Sequence, residues 1–115
     1  MEAQMSAMTD VRSVAANTTV DNVLTGKIFE FAATNAICSL LATASAAGLR
    51  ISFIIGNEVQ LDDQEISSAN RFPISPDDFL TRGGALKGDR IVIRLRNTTV
   101  GAITAFTKLD VEQVA

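Results

Sequence analysis

The chain has no histidine, tryptophan or tyrosine, and one cysteine among 115 residues. Each absence closes a route to function. Without histidine there is no Cys-His zinc site and no Ser-His-Asp triad. A lone thiol, Cys38, excludes an internal disulfide framework; set among Ile37, Leu40 and Leu41, it reads as a buried structural thiol. Without tryptophan and tyrosine a sugar-stacking cleft is poorly served, and the six phenylalanines fit a core better. Charge of one sign is also scarce. A net charge of −3 argues against gripping nucleic-acid phosphates through bulk attraction.

The first residues, Met1 to Asp10, lack the basic and apolar regions of a signal peptide. The most apolar stretch, Ala32 to Leu49, is diluted by Asn, Ser, Thr and small alanines, and Arg50 follows at once. A membrane helix needs about 20 predominantly apolar residues, so none is expected. With 47% apolar and 20% charged residues, the composition is that of one globular domain.

Residues 1–17 contain no Gly or Pro and keep no strand alternation, which predicts an N-terminal arm, helical or loose. Residues 18–115 form the domain proper. Alternation around Lys27-Ile28-Phe29-Glu30-Phe31 predicts a strand after a turn at Gly26. "AICSLLATA" and "LRISFIIG" read as a hairpin with Gly48 at a positive φ. Gly56-Asn57 turns into "EVQLDDQEI", with Val59 and Leu61 on one face. Pro73, Pro76 and Gly83-Gly84 predict a long connection. Short strands spaced by turn signals, with no amphipathic helices between them, predict an all-β antiparallel sandwich. Seven or eight strands are expected, connected as a jelly roll or Greek key.

The end of the chain, "RIVIRLRNTTVGAITAFTKLDV", reads as a closing hairpin. Ile91, Ile93 and Leu95 must share the core face with Ile103, Ala105 and Leu109, so opposed residues sum to an even number, as Leu95 opposite Ile103 does. The other face then carries Val92, Arg94 and Arg96 with Phe106. Arginine and aromatic residues are enriched where protein surfaces meet, so these four are the candidate interface. The alternative is that Phe106 is covered by arginine stems or by the arm.

Other candidates have simpler readings. Asp62, Asp63 and Glu65, and likewise Asp77 and Asp78, could ligate calcium, but their spacing matches no EF-hand loop and acids are common in turns. "RGGALKGDR" lacks the spacing of a phosphate loop. Asn17 and Asn97 begin N-x-[ST] triplets that mean little without a secretory signal. No cofactor, catalytic residue or metal site is expected.

From about Asn17 to Val111 the chain resembles small β-sandwich virion proteins of tailed bacteriophages, in "NVLTGKIFEF", "SAAGLRISFIIG", "NRFPISPDDFL" and "GDRIVIRLRNTTVGAITAFTKLDV". The likeness is one of pattern and cadence. It implies a non-enzymatic capsid decoration, cement or minor capsid protein that sits in the virion as a homo-oligomer beside other capsid proteins. A ligand-binding module, an adhesin or lectin-like sandwich, is the competing class. Sugar binding abolished by a chelator would favour that module, and co-purification with particles the building block.

Overall fold

The computed structural model describes residues 5–74 and 77–114. Met1 to Gln4, part of the expected arm, and the turn proline Pro76 lie outside the described residues. Eight strands form two four-stranded antiparallel sheets, and no described residue is helical. They are β1 (Met5–Val14), β2 (Thr19–Val20), β3 (Ala36–Ala44), β4 (Leu49–Ile55), β5 (Glu58–Glu65), β6 (Phe79–Ala85), β7 (Ile91–Asn97) and β8 (Ile103–Gln113). The first sheet runs β1-β8-β3-β6 and the second β2-β7-β4-β5. Strands pair first with last throughout: β1 with β8, β2 with β7, β3 with β6 and β4 with β5.

Period-2 alternation fills the space between the sheets. Ile91, Ile93 and Leu95 from β7 are buried there with Ile103, Ala105 and Leu109 from β8, as parity requires. They do not form a hairpin, however. β7 lies in the second sheet and β8 in the first, so the two sets meet face to face across the core. The cause is Asn97, whose side chain is buried. Its amide donates to the carbonyls of Val14 at 3.0 Å and Gly101 at 2.8 Å. Its Oδ1 accepts from the backbone N–H and the hydroxyl of Thr99. These bonds bend the chain out of one sheet and into the other.

The same correction applies to β3 and β4, which also belong to different sheets. Gly48 does take the expected positive φ, at 103°. A Cβ there would lie 2.3 Å from Thr99 Cγ2, so the two crossovers pack against each other. Gly56, at φ 60°, closes the β4–β5 hairpin as expected. Val59 and Leu61 do not share a face. Leu61 opposes buried Phe53, whereas Val59 opposes Ile54, and the bulge between them leaves Val59 exposed.

Three further expectations change. The segment expected as a helical or loose arm is, over residues 5–14, an edge strand paired with β8 in unbroken register. Its inward row is Met8, Asp10, Arg12 and Val14, so two charges interrupt the apolar alternation that would have marked a strand. Arg12 donates to Asp10 at 2.7 Å, and Lys27 approaches Asp10 at 3.8 Å, closing the side of the sandwich with charge.

The strand expected at Lys27–Phe31 is a run of turns. Asn22 ends β2: its side chain donates to Ile91 and accepts from Leu24 N and Ile93 N, taking the place of a continued strand beside β7. Leu24 then plugs the core, and backbone bonds from Lys27 to Leu24 and from Glu30 to Lys27 coil the chain.

The long connection instead contains β6, glycines included. Gly83 leaves room for the tip of Gln60, which leans across from β5: a Cβ there would come within 2.7 Å of Gln60 Oε1.

Candidate functional site

The structure separates the four predicted interface residues. Val92, Arg94 and Arg96 lie on the outer face of the second sheet, opposite Ile54, Ser52 and Arg50 of β4. Phe106 lies on the outer face of the first sheet, between Val11 and Thr43. These four residues therefore form no composite basic and aromatic face.

Phe106 is instead covered by the chain itself. Residues 66–74 and 77–78 cross that outer face, and Phe72 meets Phe106 edge to face at 5.4 Å. The Thr43 hydroxyl donates to the Arg71 carbonyl. Asp78, buried, accepts from the Arg71 guanidinium at 3.0 Å and from Ile74 N at 2.9 Å, tying the crossing segment into a closed turn. The covering side chain is Phe72, a residue that neither the arm nor the arginine stems supply.

The arginine face is largely neutralised. β5 bulges opposite Ser52, whose hydroxyl accepts from Asp63 N at 2.9 Å. Asp63 stands there with φ 49° and reaches both Arg96 and Arg50. The hydrogen bond from Arg96 holds the Asp63 carboxyl below its ordinary range, against a weaker upward push from burial, and Arg96 itself is raised in return. Arg94 makes no ion pair among the described residues. It lines a shallow depression of about 360 Å³ with Ser52, Asp62, Asp63 and Arg96.

Cys38 is enclosed in the core, and burial pushes its thiol up to about 11. Asn97 is 1% exposed, which leaves no room for a glycan. Among the described residues no group of three or more His, Cys, Asp or Glu side chains is placed to hold a metal ion. Nor, among the described residues, is any helix long and apolar enough to cross a membrane.

The surface that sequence reasoning missed is one end of the sandwich. Here the 21–35 loop meets the β6–β7 turn, through Ala32 N to Asp89 O and Gly88 N to Ala32 O, each 2.8 Å. Three large apolar side chains project from it: Ile28 is 83% exposed, Leu86 66% and Phe31 54%. Between this loop and the ends of β1 and β8 opens an apolar cleft of about 240 Å³, lined by Ile28, Phe29, Phe31, Ala32, Ile91 and Val111 among others. The signal lies in "KIFEF", whose alternation equally suits a half-buried strand. Asn22 and Gly26 turn that segment outward instead.

Comparison of the chain with protein-family models, with curated proteins and with solved structures found no match in any of the three.

Proposed function

We propose that this chain is a non-enzymatic structural component of a virion, a capsid decoration, cement or minor capsid protein that self-associates beside other capsid proteins. The observation that carries the reading is the nested strand pairing, β1 with β8 through β4 with β5, divided over two sheets. We read that order as a jelly roll, an architecture shared by viral capsid proteins, lectins and cupins. Support from a fold is analogy, because one fold hosts many functions. The exposed Ile28, Phe31 and Leu86 favour assembly over a soluble ligand-binding module. The residue pattern resembling phage virion proteins points the same way.

The experiment is a titration of the purified chain onto particles from its own source that have been stripped of it. Binding should saturate. An Ile28→Ser, Phe31→Ser, Leu86→Ser variant should bind at least tenfold more weakly with its thermal midpoint unchanged, since these side chains contribute little to the core. Absence of particle binding, together with chelator-sensitive glycan binding, would assign the chain to the lectin-like class instead.

A further inference from the structure

The four edge strands of the sandwich differ in how they meet solvent. β2 is two residues long. β5 is broken by two bulges. β6 runs beside β5, with Gln60 laid against Gly83. Short strands, bulges and covering side chains are the usual means of blunting an edge. β1 differs from all three: it is ten residues long, paired to β8 without a bulge, and among the described residues no strand lies on its other side.

What guards it is the inward pair Asp10 and Arg12, held from the 21–35 loop by Lys27 at 3.8 Å and the Val23 carbonyl at 3.4 Å, since inward charges on an edge strand repel a generic incoming strand. They also select one incoming strand. A two-fold axis perpendicular to the sheet keeps both copies' inner faces together, so opposed residues must sum to an even number. Centring the axis on residue 10 opposes Asp10 to Asp10, and centring it on residue 12 opposes Arg12 to Arg12. Both place like charges face to face, which is destabilising. Centring it on Val11 opposes Asp10 to Arg12 twice over. The same register puts the exposed Val11 side chains together on the outer face, and Thr9 beside Ser13.

We infer, on the reading of the chain as a self-associating building block, that β1 is the subunit contact. A second copy pairs antiparallel along its free edge in the register centred on Val11, joining two four-stranded sheets into one of eight. Asp10 and Arg12 act as the register key: they exclude foreign strands and admit this one.

The charge test uses two variants of the full chain, Asp10→Arg and Arg12→Asp, with mass read by analytical ultracentrifugation. The parent should sediment as a dimer. Each variant alone should be monomeric, because like charges then oppose across the axis. An equimolar mixture should regain the dimer mass, because two arginines of one chain then face two aspartates of the other. The second test leaves these charges alone. Opposed Cα atoms in an antiparallel pair lie roughly 4.5–5.5 Å apart, within the span of a disulfide. Val11→Cys should therefore cross-link to itself under mild oxidation, with the enclosed Cys38 a spectator. Thr9→Cys and Ser13→Cys should cross-link only when mixed with each other.

If both charge variants keep the parent's mass and Val11→Cys does not cross-link, self-association stands and the contact is elsewhere. If the charge variants fail to fold, the cysteine pattern alone decides: self-cross-linking of Thr9→Cys or Ser13→Cys would overturn the register. A parent that stays monomeric, with Val11→Cys cross-linking to another capsid protein, would put a foreign strand on β1. That overturns the second-copy contact while leaving the virion reading intact, because particle binding is measured separately.

Discussion

Replacing Asn97 with alanine removes four hydrogen bonds at the point where the chain crosses between sheets. The side chain is 1% exposed, and its amide satisfies the carbonyl of Val14, itself a core residue. A lost intramolecular hydrogen bond costs about 0.5–1.5 kcal/mol net, and a buried group left unsatisfied about 1–3 kcal/mol. The groups of Thr99 and Gly101 can turn to water, so the cost concentrates on Val14 and totals roughly 2–4 kcal/mol. In a domain of 115 residues 1 kcal/mol moves the thermal midpoint by about 4 °C. A fall of roughly 8–16 °C is therefore expected in circular dichroism melts, with a matching shift in the urea midpoint. Asn97→Asp keeps the acceptor for Thr99 but loses both donors and buries a charge, so it should fall at least as far. A midpoint within about 3 °C of the parent for Asn97→Ala would refute the crossover's dependence on this side chain.

Gly48→Ala forces a Cβ to 2.3 Å from Thr99 Cγ2 at a φ of 103°, and should cost more than about 2 kcal/mol. Adding Thr99→Ser removes that methyl and should recover part of the loss in denaturant melts, leaving the backbone cost. Thr107 is buried with a hydroxyl that has no partner among the described residues. Thr107→Val keeps the shape, and should raise stability by about 1 kcal/mol; a lower midpoint would mean the hydroxyl is satisfied. Asp63 has a folded pKa below its unfolded one. Its contribution is therefore present above roughly pH 4 and fades as pH falls through the folded value. The stability gap between the parent and Asp63→Asn should close in acid melts, and a gap independent of pH would rule out this ion pair as its source.

The faces of the strands were legible from the sequence, and their partners were not. Period 2 decides which side chains of "IVIRLRN" and "ITAFTKLDV" are buried, whatever strand lies alongside. Whether β7 and β8 pair or oppose depends on a bend, and the bend depends on one buried side chain with four partners, a tertiary fact. The site prediction inherited that error, since grouping Val92, Arg94 and Arg96 with Phe106 assumed a hairpin. β1 escaped notice because Asp10 and Arg12 interrupt its inward row, although they serve the edge of the sheet. β6 is masked in the sequence by Gly83 and Gly84, a residue type depleted in strands, and here the tip of Gln60 lies against Gly83. The apolar end is present in the sequence as "KIFEF", but alternation does not separate a half-buried strand from a run of turns that packs Phe29 on the core and exposes Ile28 and Phe31.

The most direct test of the central claim, that this chain is a building block of a particle, is its copy number in purified particles, measured by quantitative mass spectrometry against the major shell protein. The account predicts a fixed, reproducible ratio that survives repeated gradient purification and is set by the symmetry of the shell. A chain that is absent, or present in traces that fall with each round of purification, would contradict it.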